Sequence, residues 1–311
     1  MAVAFASVWF VVANVALSML AILLWRGLRG AAPRAGTLFL LRMLPAIGSA
    51  ALVLGIVLPS FLFFEPDATA ERAGPALLVF VALAYALVAA GLTRAVSSWQ
   101  KTRRFAKAWQ AVGERSGSLT ATVPMYRVPT ELPLAALVGV IRPRLFISDV
   151  FADALSAEER QAVLDHEAGH ALSRDNFKRI AMSLAPDWLS LLPAAREIES
   201  AWAIASEEEA DDHASGEGRA HALDLAGALL KASRMVPIHA EHVSHFCDDA
   251  MIARRIARLL NDDPRKVRDA SFSARARIAW VLAGVTVVLL LAGPGFPAAY
   301  AMTEAAVRLL Q

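Results

Sequence analysis

The pentapeptide His166-Glu167-Ala168-Gly169-His170, with Ser156-Ala157-Glu158-Glu159 ahead of it, decides how the chain is read. Ser156 and Glu159 stand at the spacing of a capping box, which starts a helix just before the pentapeptide. From Glu158 to Ser173 there is no proline, and the one glycine is Gly169. On a helix, residues four apart share a face, so His166 and His170 aim two imidazoles at one point. Glu167 lies one step round the turn, within reach of a water held there. Two neutral nitrogen ligands, an open coordination position and a carboxylate base are what a catalytic zinc ion requires. The competing reading is two surface histidines on an amphipathic helix.

A catalytic zinc takes a third protein ligand. A third histidine six residues after His170 would make a metzincin, but that position is Asn176, and the glycine expected with it is Ser173. A glutamate from a later helix is the thermolysin-like solution. Ser206-Glu207-Glu208-Glu209-Ala210-Asp211-Asp212-His213-Ala214 supplies one. Glu207 and Asp211 are one turn apart, so Glu207 can bind the ion while Asp211 accepts the second N–H of a ligating histidine and fixes its tautomer. Glu208 with Asp212 has the same spacing, so the register stays open. A solvated acidic helix face is the alternative.

Hydrophobic residues make up 57% of the 311 positions and the mean hydropathy is +0.47. The excess is concentrated in four stretches long enough to cross a bilayer, about 4–25, 43–64, 75–93 and 278–301. Arg42 is expected to snorkel to the interface at the start of the second. A cleaved signal peptide is the competing reading of the first, which lacks a basic leader. Residues 177–193 are apolar but broken by Pro186, Asp187 and Pro193, too broken for a span. Arg26, Arg29, Arg34 and Arg42 crowd the first connection, whereas Glu65, Asp67 and Glu71 make the second acidic. Basic residues follow the third stretch (Arg94, Lys101, Arg103, Arg104, Lys107) and precede the fourth (Arg265, Lys266, Arg268, Arg275, Arg277). The positive-inside rule then puts the N-terminus outside, residues 94–277 in the cytoplasm and the tail 302–311 outside a bacterial-type inner membrane. These basic runs are topology determinants and anionic-lipid contacts. With a net charge of only +2 and no nucleic-acid-binding motif, a nucleic-acid partner is excluded.

The single cysteine, Cys247, rules out an intrachain disulfide framework. His239, His242 and His245 do not form a known zinc spacing; one of them could hydrogen-bond a developing oxyanion. Residues 94–116 read as an amphipathic helix leaving the membrane. Proline-punctuated runs at Val123–Val128, Ala136–Ile141 and Leu145–Ile147 read as short strands suited to an edge. A substrate peptide can lie extended along Val138, Gly139, Val140 and Ile141. Helices are expected about 219–235 and 250–260, and a C-cap at Ser215-Gly216. The fold class is mainly α with a small β-sheet: a multi-span membrane protein carrying a gluzincin-like zinc metallopeptidase domain.

Gly139-Val140-Ile141-Arg142-Pro143-Arg144-Leu145-Phe146-Ile147, the HExxH helix with Arg174-Asp175-Asn176 after it, Glu207-x-x-Ala210-Asp211 and Arg254-Arg255-Ile256-Ala257-Arg258-Leu259-Leu260 together resemble the BlaR/MecR-type membrane zinc metallopeptidases. The resemblance implies a gluzincin with one Zn2+ per chain, held by His166, His170 and Glu207, with Glu167 as base. It implies cleavage of a protein substrate at the cytoplasmic membrane face in regulated proteolysis. Those sensors carry an extracellular β-lactam-binding domain after the fourth span, whereas this sequence stops at Gln311, which points to a separate sensor protein as partner. Gly169 is unusual in that family, and HEAGH is also the spelling in FtsH-type proteases. No GxxxxGK[ST] loop is present, so that reading fails. HtpX- and CAAX-type quality-control proteases share the zinc motif, and a signalling or scaffold protein with a vestigial zinc site is the non-catalytic alternative.

Overall fold

The structure is a computed structural model that describes residues 2–64, 74–235 and 249–261, together with 301 and 305. The fourth expected span, the basic run before it, Cys247, His239, His242 and His245 lie outside the described residues. The chain divides into two compact units. Among the described residues, the first holds 2–64, 74–94 and Met182–Ser200, and the second holds Ala95–Ala181, 201–235 and 249–261.

Helices α1 (Ala2–Leu28) and α2 (Ala35–Leu52) are apolar on nearly every face, and α2 runs through a π-helical turn (Val53–Val57) into α3 (Leu58–Phe64). Helix α4 spans Pro75–Val112. Three stretches among the described residues, Ala2–Leu28, Ala35–Phe63 and Pro75–Val112, are long and apolar enough to cross a membrane. The second begins earlier than expected, and this corrects the expectation for Arg42. That side chain lies seven residues inside the helix and is 1% exposed, so it does not snorkel. It pairs with Asp187 at 2.8 Å and Glu199 at 2.6 Å. A cation buried among apolar helices needs partners from the protein, and these carboxylates supply them. Residues 177–193 form no span.

In the second unit, four strands make one mixed sheet: β1 (Glu114–Thr120), β2 (Val123–Val128), β3 (Ala135–Val138) and β4 (Arg144–Ser148), in the order β1-β2-β4-β3. β1 pairs antiparallel with β2, β2 parallel with β4, and β3 antiparallel with β4, which leaves β3 as an edge. The helix expected to reach Ser116 stops at Val112. Gly113 ends it, since a Cβ there would lie 2.8 Å from the Trp109 carbonyl and 2.9 Å from that of Arg127. The strand that follows is polar and exposed and carries no apolar alternation, so the sequence hides it. The strand expected over Ala136–Ile141 ends at Val138, because Gly139 takes φ +110° and turns the chain. Gly139, Val140 and Ile141 therefore belong to the β3–β4 turn.

Helices α5 (Asp149–Ala154), α6 (Ala157–Ser173), α7 (Asp175–Leu184), α8 (Pro193–Ala214), α9 (Arg219–Met235) and α10 (Asp249–Leu260) follow. The capping box is present: the Glu159 N–H donates to Ser156 Oγ, and the Ser156 N–H donates to the Glu159 carboxylate. Helix α8 ends in a short 3-10 turn (Ser215–Glu217), and the glycine with positive φ is Gly218 (+121°) rather than Gly216. The core of this unit joins Ile147, Phe151, Leu155, Ala162, Val163, Ala214, Leu225 and Leu259. Its burial fixes α6 between the sheet, α8 and α9.

Candidate metal centre

Helix α6 carries His166 and His170 on one face, and their Nε2 atoms lie 3.2 Å apart. Glu207 on α8 closes the group. Its carboxylate oxygens are 3.5 Å from His166 Nε2 and 3.6 Å from His170 Nε2. A zinc ion with bonds of 2.0–2.1 Å in tetrahedral geometry sets its ligand atoms about 3.4 Å apart. The three side chains therefore already stand at the separations such an ion imposes, and among the described residues they could hold one. Glu208, the other register, turns away to pair with Arg254 at 2.7 Å, and Asp212 pairs with Arg258 at 2.9 Å.

The far nitrogens of both imidazoles are held by carboxylates. Asp211 Oδ1 lies 3.0 Å from His166 Nδ1, and Asp175 Oδ2 lies 2.8 Å from His170 Nδ1. A carboxylate at Nδ1 keeps the proton there and leaves the Nε2 lone pair for a metal. Asp211 was foreseen in the sequence; Asp175 was not. Asp175 opens α7, directly after Arg174 takes the left-handed conformation (φ 53°, ψ 42°) that ends α6. It also accepts from Ser206 Oγ at 2.6 Å and pairs with Lys178 at 3.1 Å.

Arg255 on α10 is the other residue that sequence reasoning missed. Its guanidinium grips Asp211 at 2.6 and 3.0 Å and reaches Glu207 at 2.9 Å. Asp211 is fully buried, and a buried carboxylate needs such a partner. The basic Arg254–Leu260 run noted in the sequence was the available signal.

The electrostatics follow from this crowding. Burial works against the charged form of His166, but hydrogen bonds to Asp211 and Glu207 outweigh it and push its pKa up to about 9. Burial also opposes the charge on Glu207; the hydrogen bond to His166 and the Arg255 cation overcome it and hold the carboxyl down to about 2. Glu167 is buried beside the pair, and that burial raises its pKa despite the imidazoles and a hydrogen bond from the Leu137 backbone. A carboxylate with a raised pKa in a closed site suits proton transfer.

The edge strand reaches the same place. The next residue after Asp175, Asn176, donates Nδ2 to the carbonyls of Leu137 at 2.8 Å and Gly139 at 3.0 Å. Of the four positions expected to line a substrate, Val138 closes β3 and the other three turn away from it.

Residues 133–250 match the model of peptidase family M48. Over this segment, somewhat more than a third of the chain, the sequence is similar to that family. Family M48 is a family of zinc metallopeptidases, hydrolases of peptide bonds, and the match supports the membrane-metallopeptidase resemblance seen in the sequence. The M48 segment contains β3, both histidines, Glu207 and Asp211, while Arg255 lies beyond it. No curated protein matches the chain.

Proposed function

We propose that the chain is a membrane-anchored zinc endopeptidase that cuts a protein segment at the cytoplasmic face of a bacterial-type inner membrane, within regulated proteolysis. The observation that carries this reading is the convergence of His166, His170 and Glu207 at 3.2–3.6 Å within the M48 segment. His166, His170 and Glu207 hold one Zn2+, and Asp211 and Asp175 orient the two imidazoles. Bound zinc would polarise the scissile carbonyl and make a water acidic at neutral pH. Glu167 takes the proton from that water and passes it to the leaving amine. A substrate in extended form lies along the β3 edge near Val138; pairing with the Leu137 N–H releases Glu167 from that bond. The basic first connection and the charges around the apolar stretches support a cytoplasmic placement of the peptidase. A sensor protein of the same membrane supplies the activating signal.

The test compares newly formed N-termini across the proteome in cells with the native chain and with Glu167→Gln. The carboxamide of Gln keeps the shape of the carboxylate but cannot take up the proton, so zinc stays bound while cleavage stops. Identical sets of termini in the two strains would remove the proteolytic reading.

A further inference from the structure

Residues 182–193 cannot make a span, yet they belong to the first unit with the three apolar helices. Their backbone is broken by Pro186, a 3-10 turn at Trp188–Leu191 and Pro193. The carbonyl groups that such a break leaves without helical partners are taken by side chains of the apolar helices. Arg94 donates to the carbonyls of Ser183 at 3.2 Å and Ala185 at 2.8 Å. Arg42 donates to the Met182 carbonyl at 3.3 Å and to Ser190 Oγ at 2.8 Å, besides its pairing with Asp187. Asn14 donates to the Pro186 carbonyl at 3.0 Å and accepts from the Trp188 N–H at 2.9 Å. Gly91 of α4 admits the backbone closely: a Cβ there would lie 2.2 Å from the Leu184 carbonyl oxygen.

The depth of the segment follows from α1. Asn14 is one residue from the midpoint of Ala2–Leu28, so Pro186 to Trp188 sit at the middle of a candidate span. Further on, Glu197 meets Trp25 Nε1 at 2.9 Å and pairs with Arg29, at the basic end of α1. From Asn14 to Trp25 is about 16 Å along a helix axis. The chain thus rises to mid-depth and returns to the basic end. Leu184 and Leu191 point outward, 42% and 58% exposed.

We infer that residues 182–193 are a re-entrant membrane segment whose outward face, with Leu184 and Leu191, contacts lipid acyl chains. Irregular backbone survives in hydrocarbon only where protein groups satisfy it, and Asn14, Arg42 and Arg94 do that here. Arg42 and Asp187 are buried together as an ion pair, as ionisable groups at that depth must be, while the second partner of Arg42, Glu199, is 40% exposed on the side where the chain returns to the basic end. The chain leaves this segment in both directions toward the metal-site elements, since α7 opens with Asp175 and α8 goes on to Glu207 and Asp211.

The test uses the full chain with Cys247→Ser, so that one introduced cysteine carries a nitroxide label. Leu184→Cys and Leu191→Cys are compared with Leu20→Cys on the outer face of α1 and Gln161→Cys on α6. The proteins are placed in nanodiscs of phosphatidylcholine and phosphatidylglycerol, and collision rates with oxygen and with a water-soluble nickel chelate are measured. Labels at Leu184 and Leu191 should favour oxygen over nickel, as at Leu20, by several-fold relative to Gln161. Nickel-dominated collisions at both leucines, with Leu20 still oxygen-dominated, would make the segment a water-exposed loop and overturn the proposal. Nickel access at Leu20 as well would overturn it together with the span it leans on. All four positions are substituted at sites that are not buried, so each variant retains the packing of the native chain.

Discussion

Gly169 of α6 lies directly against Ala210 of α8. A Cβ on Gly169 would stand 3.1 Å from Ala210 Cα and 3.2 Å from His213 Cβ. The glycine is therefore a spacing element: it lets the helix with two histidines approach the helix with Glu207. Gly169→Ala gains helix propensity, worth up to about 1 kcal/mol. It also pushes against a backbone atom, and overpacking costs about 1–3 kcal/mol. We expect a net loss of stability of about 1 kcal/mol and weaker zinc binding, read by thermal unfolding with and without zinc. A stabilised variant with unchanged zinc affinity would show that the helices yield freely.

The assignment of the acidic ligand separates two neighbours. Glu207→Ala removes the carboxylate that faces both imidazoles. Purified protein should then lose its zinc on dialysis, measured by metal analysis. Glu208→Ala breaks only the ion pair with the half-exposed Arg254, and exposed pairs contribute about 0.2–1 kcal/mol. Its zinc content should stay at the native level. The reverse pattern would move the ligand to Glu208.

The carboxylates behind the histidines should matter almost as much as the ligands. Asp175→Asn and Asp211→Asn each leave an amide where a carboxylate accepts from an imidazole N–H. Loss of such an orienting partner weakens metal binding about 10–100-fold. Asp211→Asn should be the more harmful to folding, because Arg255 loses its bidentate partner as well. Zinc titration against a chelator of known affinity, paired with chemical denaturation, distinguishes the two effects.

Protons and zinc compete at His166. Its pKa is raised from 6.5 to about 9 in the folded chain. A raised pKa stabilises the zinc-free protein fully below about 6.5, and that contribution is lost as pH rises through about 9. Zinc needs the neutral ring, so its affinity should climb across the same window and level off above it. Glu207, held at about 2 against an ordinary 4.5, contributes the opposite way: its stabilisation is present above about 4.5 and fades as pH falls through about 2. Calorimetric zinc titration at pH 7.5 in buffers of different ionisation enthalpy should report release of close to one proton. No buffer dependence would mean that His166 is already neutral.

Much of the centre was readable because local rules and chemistry agree there. The capping box, the four-residue histidine spacing and the Glu207–Asp211 turn are all short-range patterns, and each places its residues without knowledge of the rest of the chain. What the sequence concealed is long-range. Arg255 reaches Asp211 from 44 positions further along, and no spacing announces that. Strand β1 has no apolar alternation because it lies exposed at the sheet edge. Arg42 was read as an interfacial residue because its partners, Asp187 and Glu199, come from a stretch far along the chain that looks like a loop.

Asp175 and Asn176 are adjacent, yet one orients His170 and the other ties down the β3 edge. The candidate ion site and the β3 edge are therefore joined through a single amide link. An insertion or deletion at Arg174 would shift both together. The spacing between the histidine pair and the β3 edge is thus set by two consecutive codons, and a change of length there should be tolerated less well than one in the exposed strand β1.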